Sequence, residues 1–247
     1  MTKAEVCELI EEIGIIPAIR VSSAEDAHFA ADTVAGGGIP IVEITTTVPE
    51  AVKLIAHLVR YHPKMVVGAG TVLNIDMASK CVDAGASFLT SPGLNRKIVE
   101  FAAQKQIAVL PGALTPTEVI EAWEEGSNFV KVFPCAQIGG DKYIKALKAA
   151  LPQISLVAAG GVTQHTAENF IIAGATAIGV GTELIPADAI EHRESDRIQE
   201  LAQRFLGFVK SARQRLGPAK QKAKATKTDF LKLDKPVPGD PREGGND

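Results

Sequence analysis

The sequence predicts a (β/α)8 TIM barrel, an α/β fold, and three observations support this fold class. The chain has 247 residues, close to the usual size of one such barrel. Its composition is 46% hydrophobic but only 5% aromatic, which is typical of parallel strands rich in Val and Ile that helices cover. Short apolar segments alternate with longer amphipathic ones along the chain. This alternation predicts βαβ units, and an open doubly wound sheet is the alternative arrangement.

Eight short apolar segments are predicted to form the strands, and eight is the number that closes a barrel. In chain order they are Ile15–Arg20, Ile41–Thr45, Met65–Ala69, Phe88–Thr90, Ala108–Leu110, Phe129–Phe133, Ser155–Ala158 and Ala177–Val180. The helix-like segments between them are Ala24–Ala35, Pro49–Tyr61, Ile75–Ala84, Arg96–Lys105, Pro116–Glu125, Lys142–Ala150 and Ala167–Ala173. Polar residues and glycines follow nearly every strand, at the end where barrel enzymes hold their catalytic groups.

The predicted helix ends carry capping residues. Ser22 or Ser23 precedes the helix that starts at Ala24, and serine is a preferred N-cap. Thr115 precedes Pro116, and proline suits the first turn of a helix. Glycines stand where several helices should end, as expected of C-terminal caps: Gly36–Gly38, Gly85, Gly126 and Gly174.

Further segments are predicted at both ends of the chain. The helix-like segment Lys3–Ile13 precedes the first strand and is predicted to plug the N-terminal end of the barrel. After the last strand, Glu191–Arg215 has the pattern of a charged amphipathic helix, and we place the barrel domain at residues 1–216. Residues 217–247 form a charged extension with few hydrophobic residues, for which we predict a disordered tail. A trailing helix that docks on a neighbouring subunit is the alternative.

Composition and charge exclude several classes of function. The net charge of −3 does not indicate a nucleic-acid partner, and no apolar run approaches the roughly 20 residues that span a bilayer. The polar start of the chain does not indicate a signal peptide. Cys7, Cys81 and Cys135 are odd in number and widely spaced, which favours reduced thiols in a cytoplasmic protein. The five histidines show no H-x-H or H-x-x-H spacing, so we expect no metal site.

Lys131 is the most informative residue because it lies inside an apolar strand pattern, Phe129–Phe133. A lysine in a buried strand is costly unless it is paired or functional. Alternation places its side chain opposite those of Val130 and Val132, so it is predicted to enter the barrel lumen. Desolvation disfavours the charged ammonium, and a neutral lysine attacks carbonyl carbons. A lysine that only neutralises a buried carboxylate is the structural alternative.

Two more charged residues lie in or at the end of predicted strands. Glu43 interrupts the apolar run Ile41–Ile44 and is predicted to be the proton shuttle of Lys131, with a purely structural ion pair as the alternative. Arg20 ends the first strand, where arginine suits bidentate recognition of a carboxylate or phosphate, and a solvated rim residue is the alternative. Threonines predicted to hydrogen-bond the same anion stand at neighbouring strand ends: Thr45, Thr47 and Thr71.

Glycine-rich turns follow the last two predicted strands. Gly160 and Gly161 come after strand seven, and Gly181 and Thr182 come after strand eight. This is the usual phosphate position of the fold. Glycines let backbone N–H groups approach an anion closely, so these turns are predicted to bind phosphate. Tight turns without a ligand are the alternative.

Taken in order, the strand-end motifs resemble those of the 2-keto-3-deoxy-6-phosphogluconate (KDPG) / 4-hydroxy-2-oxoglutarate (KHG) aldolase family. The motifs are Glu43-Ile44-Thr45, Gly68-Ala69-Gly70-Thr71-Val72, Ser91-Pro92-Gly93, Pro111-Gly112, Lys131-Val132-Phe133-Pro134 and Gly160-Gly161-Val162. The resemblance spans about Ile15 to Leu184. It implies a homotrimeric barrel without a cofactor that cleaves a small-molecule 4-hydroxy-2-oxo acid to pyruvate and an aldehyde.

The resemblance also implies roles for individual residues. Lys131 matches the Schiff-base lysine, and Glu43 matches the general acid/base. Thr71 and Pro92 match residues of the pyruvate pocket, while the phosphate end is matched by Gly160, Gly161 and Thr182. The full set expected to bind the substrate is Arg20, Thr45, Thr47, Thr71, Pro92, Phe133, Gly160, Gly161, Gly181 and Thr182.

Two departures from the family pattern bear on the substrate. Many members carry an arginine at the position of Thr47, and here Arg20 is expected to supply that charge. Many members also carry a threonine at the position of Ala159, so the strength of phosphate binding is open. The preferred interpretation is cleavage of KDPG to pyruvate and glyceraldehyde 3-phosphate. KHG and 2-dehydro-3-deoxy-6-phosphogalactonate are alternative substrates.

Two other classes of function are alternatives to an aldolase. One is a different phosphate-binding barrel, such as an isomerase or a thiamin-phosphate-synthase-like transferase, which would use the glycine turns without an imine. The other is a barrel that has lost activity and serves as a binding or assembly module. Trapping of an imine at Lys131 separates the first from the aldolase. The second predicts pyruvate release at background level from every candidate substrate.

Overall fold

Nine parallel strand segments surround the centre of the molecule in the computed structural model, which describes residues 1–225, with side chains through residue 217. They are β1 (Ile15–Ile19), β2 (Ile41–Thr45), β3 (Val66–Gly70), β4 (Phe88–Thr90), β5 (Ala108–Leu110), β6 (Gly112–Ala113), β7 (Val130–Val132), β8 (Leu156–Ala159) and β9 (Ala177–Val180). Their hydrogen-bonded order is β5-β4-β3-β2-β1-β9-β8-β7-β6. Only Pro111 separates the two segments at the ends of this order, so the sheet closes.

The closure runs through one barrel strand that proline divides. Pro111 has no amide hydrogen to donate to a neighbouring strand, and it separates β5 from β6. The Pro111 carbonyl instead accepts the amide of Lys131 at 2.9 Å, and Gly112 pairs with Lys131 in register. On the other side, Val109 pairs with Leu89. The segments therefore fill eight barrel positions, which confirms the predicted (β/α)8 barrel and excludes an open sheet.

Except for the first helix, which closes one end of the barrel, the helices lie around its outside. Among the described residues they are α1 (Lys3–Ile13), α2 (Ala24–Gly36), α3 (Ala51–Tyr61), α4 (Ile75–Asp83), α5 (Arg96–Gln104), α6 (Pro116–Glu124), α7 (Gly140–Ala150), α8 (Ala167–Ile172), α9 (Ala187–Glu191) and α10 (Ser195–Ala225). The predicted caps at Ser23 and Thr115 are confirmed: the Ser23 hydroxyl accepts the amide of Asp26, and Thr115 forms a capping box with Glu118.

Apolar side chains fill both the layer outside the strands and the lower part of the lumen. Val42 and Ile44 point outward into the larger core, on the face opposite Glu43. The lumen core contains Ile16, Ile41, Val66, Phe88, Phe129, Val157 and Ala177. Val6 and Ile10 of α1 are buried in the same cluster, which confirms that this helix plugs the barrel. Polar groups inside the barrel therefore lie at the carboxyl ends of the strands.

The C-terminal part begins differently from the prediction. A short helix ends at Glu191, and the last helix starts at Ser195 rather than at Glu191. Its backbone continues to Ala225 with a break at Gly217, whose positive φ of 68° suits glycine. Residues 226–247 of the predicted tail lie outside the described residues, so the domain boundary at 216 stays a prediction. Within residues 1–225, no helix has the length and apolarity to cross a bilayer.

Candidate active site

Lys131 enters the barrel lumen from β7. Its neighbours Val130 and Val132 are fully buried among the outer core residues, and its own side chain is 13% exposed. The amine lies above the lumen core, with Phe129 below it and the ring centroid of Phe133 5.8 Å from Nζ. The orientation predicted by alternation is therefore confirmed. The surroundings exclude most water from the amine, which strengthens its electrostatic interactions.

Glu43 lies opposite the lysine on β2. Both of its carboxylate oxygens are 3.4 Å from Lys131 Nζ, and the Glu43 side chain is 4% exposed. Gly70 on the neighbouring strand makes room for this carboxylate, because a Cβ built on Gly70 would stand 2.1 Å from Glu43 Oε1. The pair that the sequence predicted on separate strands is thus brought together by the barrel.

Thr90 is a polar neighbour of the lysine that the sequence analysis did not include in the site. Its hydroxyl accepts a hydrogen bond from Lys131 Nζ at 3.3 Å, and the residue is buried at the end of β4. A usable signal was present in the sequence. Thr90 stands two positions after Phe88, so both point into the lumen, and threonine interrupts an apolar strand in the same way that Glu43 does.

A cavity of about 330 Å³ opens above the lysine and the glutamate. Eight predicted site residues line it, namely Lys131, Glu43, Arg20, Phe133, Gly160, Gly161, Gly181 and Thr182. The sequence analysis did not include Thr163 or Glu183, which also line it. The cavity joins the amine and carboxylate at its base to the glycine turns at its rim. A substrate of several carbons can therefore reach both ends at once.

A second, wider cavity adjoins the first and shares Arg20 and Phe133 with it. Thr47, Thr71 and Pro92 line this second cavity. Arg20 Nη2 donates to the Thr71 hydroxyl at 3.5 Å, so the guanidinium lies at the junction of the two spaces. This position suits a cation that holds one carboxylate end of a substrate.

The backbone at Thr71 is held in an uncommon conformation. Its φ of 58° is unusual for a β-branched residue, and the Thr46 hydroxyl donates to the Thr71 carbonyl at 2.8 Å. Strain of this kind concentrates at functional sites. Thr45 is placed differently from the other predicted binding residues, because it is buried and lines neither cavity. Its hydroxyl interacts with the Ile19 carbonyl and with the Thr47 hydroxyl, each at 2.9 Å, and so supports Thr47 from below.

The glycine turns have backbone conformations that favour glycine. Gly160 and Gly161 have φ values of 84° and 83°. A Cβ on Gly161 would stand 2.5 Å from that of Ala136, so the space is closed to larger residues. Beside these turns the carboxylate of Glu183 accepts the amide of Gln164 at 3.4 Å. The end of the cavity that offers backbone donors to an anion therefore also carries a negative charge.

Cys135 follows the lysine strand but lies outside both cavities. The thiol is buried, and burial, with a smaller effect of Asp141, raises its pKa to about 12. Its sulfur lies 3.7 Å from the Gly140 carbonyl. A thiol in this state is a poor nucleophile at neutral pH, so it has the surroundings of a structural residue.

Sequence comparison relates the chain to one group of enzymes. A family model described as KDPG and KHG aldolase matches residues 6–201, a span that includes every predicted site residue. The chain is 31% identical over 210 residues to a 2-dehydro-3-deoxy-phosphogluconate aldolase of Haemophilus influenzae, with 85% of this chain and 99% of that protein covered. It is also 31% identical over 205 residues to a 2-dehydro-3-deoxy-6-phosphogalactonate aldolase of Escherichia coli, with 82% and 96% covered.

Solved structures resemble the barrel as well. A KDPG aldolase from Legionella pneumophila, solved with pyruvate captured as a covalent carbinolamine intermediate, is 30% identical with a TM-score of 0.74. The match covers 80% of this chain and 96% of that one. A designed protein cage, made by fusing symmetric oligomeric domains, is 28% identical with a TM-score of 0.76, and 87% and 78% of the chains are covered.

Proposed function

We propose a reaction, a mechanism and a substrate from one premise: the chain belongs to the KDPG and KHG aldolase family and is an aldehyde-lyase. The proposed reaction is class I aldol cleavage of a 4-hydroxy-2-oxo acid to pyruvate and an aldehyde, with Lys131 as the Schiff-base residue. One observation carries it. The amine of Lys131 lies 3.4 Å from both oxygens of Glu43 at the base of a cavity lined by two glycine-rich turns.

The first half of the mechanism forms an electron sink. Lys131 passes a proton to Glu43, and its neutral amine attacks the C2 carbonyl of the substrate. Glu43 then gives this proton to the carbinolamine hydroxyl, which leaves as water, so that a protonated imine and the Glu43 carboxylate remain. Glu43 removes the proton of the C4 hydroxyl, because its carboxylate faces the same space as the amine. The C3–C4 electrons then move to the iminium, which yields an enamine and releases the aldehyde.

The second half regenerates the enzyme. The protonated Glu43 returns a proton to C3 of the enamine, and the product is the imine of pyruvate. Water hydrolyses this imine, which frees pyruvate and restores the amine of Lys131. Thr90 lies within hydrogen-bond distance of the Lys131 amine and keeps it oriented during both halves of the mechanism.

The proposed substrate is KDPG, with glyceraldehyde 3-phosphate as the aldehyde. Arg20, with the Thr47 and Thr71 hydroxyls beside it, holds the carboxylate of the 2-oxo acid. The phosphate lies at the glycine turns that line the cavity, where backbone N–H groups are the proposed donors: Gly160, Gly161, Gly181 and Thr182. The name of the Haemophilus influenzae relative supports this substrate.

A second candidate is an unphosphorylated acid such as KHG, and Glu183 favours it. Its carboxylate stands at the end of the cavity where the phosphate would lie, and Ala159 offers no hydroxyl there. The negative charge of Glu183 repels the phosphate of KDPG, a dianion, more strongly than the terminal carboxylate of KHG, a monoanion. A third candidate substrate is 2-dehydro-3-deoxy-6-phosphogalactonate, which should be assayed beside KDPG and KHG.

The proposed assembly is a homotrimer in the cytoplasm. The likeness to symmetric oligomeric domains of a designed cage supports an oligomer. Leu73, which is 60% exposed, and the exposed Ile75 after it present apolar surface at the start of α4. Free thiols at Cys7, Cys81 and Cys135 suit a reducing compartment. Light scattering of the full chain measures the assembly directly.

The decisive experiment traps the imine. Wild-type protein is incubated with pyruvate and borohydride, digested and mapped by mass spectrometry, and the reduced adduct is expected on the peptide that contains Lys131. Lys131→Met should gain no adduct, whereas Lys97→Met, which changes an exposed lysine of α5, should gain it normally. An adduct elsewhere, or none in the wild type, would overturn the mechanism. Turnover of the three acids by wild type then ranks the substrates.

A further inference from the structure

A cluster of three histidines lies on the outside of the barrel, remote in the fold from Lys131. We propose that His28, His57 and His62 bind a divalent transition metal, with Zn²⁺ as the reference ion. One ligand atom from each histidine lies within 4.8 Å of the other two. His28 belongs to α2, His57 to α3, and His62 is the C-cap residue of α3. The bound ion would join two neighbouring helices of the outer ring.

The His28 ring lies in edge-to-face contact with the rings of both other histidines. The ring centroids of His28 and His57 are 5.0 Å apart, and those of His28 and His62 are 5.8 Å apart. Nitrogens bound to one tetrahedral Zn²⁺ at about 2.0–2.1 Å stand about 3.3 Å from each other. Small rotations of partly exposed rings close the remaining gap, with no movement of the helices.

Asp32 gives the cluster an orienting carboxylate. Its oxygens lie 3.7 Å from His28 Nδ1 and 3.4 Å from His62 Nε2. A carboxylate behind a histidine fixes the ring and raises the basicity of the nitrogen that faces the metal. With Nδ1 of His28 turned to Asp32, its Nε2 is left for a ligand. That atom is buried and has no hydrogen-bond partner among the described residues.

The unsatisfied nitrogen is the observation that points to a ligand. A buried polar atom without a partner costs free energy, and native structures rarely keep one without a reason. Asp32 Oδ1 is also buried and makes no hydrogen bond within the described part of the chain, although His62 Nε2 lies 3.4 Å from it. A cation among the three imidazoles would satisfy the His28 nitrogen and add a favourable charge next to the Asp32 carboxylate.

The chemistry of the donors selects the class of metal. Imidazole nitrogens suit Zn²⁺, Ni²⁺, Cu²⁺ and Co²⁺, whereas Mg²⁺ and Ca²⁺ prefer sets of oxygen ligands. Three protein ligands leave a fourth position for water or for Asp32. The cluster is separate from the aldolase cavities, so the proposal does not rest on the proposed reaction. Its expected role is to tie α2 to α3, the helices that follow the strands of Arg20 and Glu43.

This proposal departs from the expectation of no metal site, which was based on histidine spacings that fit no common motif. His57 and His62 are five residues apart, and the second stands beyond the end of the helix, where its amide bonds to the Leu58 carbonyl at 2.8 Å. His28 comes from the preceding helix. Only the packing of α2 against α3 brings the three side chains together.

The test titrates the full chain, free of any polyhistidine tag and stripped with a chelator, with ZnCl2 in a calorimeter. One Zn²⁺ per chain is expected in the wild type. His57→Ala, which changes an exposed side chain, should abolish this uptake, and Asp32→Asn should weaken it by roughly 10- to 100-fold. His165→Ala is the matched control, because that histidine is exposed and stands on a different loop.

Two further readouts keep the result interpretable. Zn²⁺ should raise the melting temperature of the wild type and of His165→Ala but not of His57→Ala, because binding to the native state alone stabilises it. Co²⁺ should give the visible absorption of a four-coordinate ion only where His28, His57 and His62 are intact. No uptake by the wild type, or uptake that persists in His57→Ala, would overturn the proposal. Imine trapping at Lys131 is unaffected in either case, which separates this test from that of the aldolase reaction.

Discussion

The amine of Lys131 stands at the same distance, 3.4 Å, from both oxygens of Glu43, although 88 positions separate the two residues in the chain. Both groups are almost entirely buried, so each needs the other to offset the cost of losing water. The equal distances leave the lysine facing the open cavity rather than held by one short hydrogen bond. An amine in this position keeps a nearby proton acceptor while it remains accessible to a carbonyl carbon.

Gly70→Ala should impair catalysis by moving the Glu43 carboxylate. The new Cβ would stand 2.1 Å from Glu43 Oε1, so the side chain must shift away. A displacement of about 1 Å at a catalytic group costs about 100-fold in rate, and we expect a fall of that size in kcat. Gly207→Ala is the control, since a Cβ at this position of α10 would meet no described atom within 4 Å beyond the adjacent residues and the backbone of its own helix. Equal kcat for Gly70→Ala and wild type would contradict the role given to Glu43.

Thr90→Val should slow formation of the imine while the fold is kept. Valine has nearly the same shape but removes the acceptor 3.3 Å from Lys131 Nζ. A hydrogen bond to a charged group contributes about 1.5–3 kcal/mol, so we expect the rate of borohydride-trapped adduct formation to fall by roughly 10- to 100-fold. Thr33→Val removes a buried hydroxyl from α2 and should trap pyruvate at the wild-type rate. An unchanged rate in Thr90→Val would show that Thr90 does not orient the amine.

Arg20→Met should weaken binding of the 2-oxo acid rather than the chemical step. The guanidinium lies where the two cavities meet and is the proposed partner of the substrate carboxylate. Loss of this charged hydrogen-bonding group should raise KM by roughly 10- to 100-fold with a smaller change in kcat. Arg60→Met, at an exposed position of α3, serves as the control. If kcat falls and KM does not, Arg20 acts in the reaction and is not an anchor.

The sequence predicted the lumen side chains better than the rim of the site. Period-two alternation separated Lys131 from Val130 and Val132, because the strand is regular. Glu43 was linked to Lys131 as an opposite charge in a second apolar strand. At the rim, Thr45 and Thr47 were both expected to bind substrate. Thr47 lines the second cavity, whereas Thr45, the last residue of β2, is buried and its hydroxyl interacts with the Ile19 carbonyl and the Thr47 hydroxyl.

Contacts between elements that are distant in sequence could not be predicted from the sequence pattern either. Thr90 becomes a site residue only because the barrel brings β4 to face β7. The cluster of His28 and His57 likewise depends on how two helices pack. The division of one strand at Pro111 was foreseeable, because proline cannot donate to a ladder, but continuation of the strand beyond it was not predicted.

Raising the pH from 8 to 11 should destabilise the wild type more steeply than Cys81→Ala. Burial raises the pKa of the Cys81 thiol from 9.0 to about 11 in the folded chain. Between pH 9 and pH 11 the Cys81 thiol has lost its proton in the unfolded chain but keeps it in the folded chain. The contribution of this thiol to the free energy of unfolding is therefore complete below pH 9 and falls as the pH rises toward 11. Denaturant midpoints across the range give the slopes. Parallel slopes for the two proteins would mean that the thiol is not protected by burial.

Glu183→Gln should improve the use of phosphorylated substrates. The carboxylate lies at the end of the cavity that is proposed to hold the phosphate, and it accepts the Gln164 amide at 3.4 Å. Because Glu183 is exposed, its repulsion is limited to about 1 kcal/mol, which predicts a fall of about fivefold in KM for KDPG. The gain should shrink at high salt, since screening already weakens the repulsion in the wild type.

The size of this effect on different acids decides between the two candidate substrates. KHG, which has no phosphate, should gain less than KDPG from Glu183→Gln. The control Glu124→Gln removes an exposed charge from α6 and should change neither KM. If KDPG is already bound tightly by the wild type and Glu183→Gln changes nothing, the phosphate avoids this carboxylate and the glycine turns alone hold it. If KDPG improves and KHG does not, Glu183 is the residue that biases this barrel toward unphosphorylated acids.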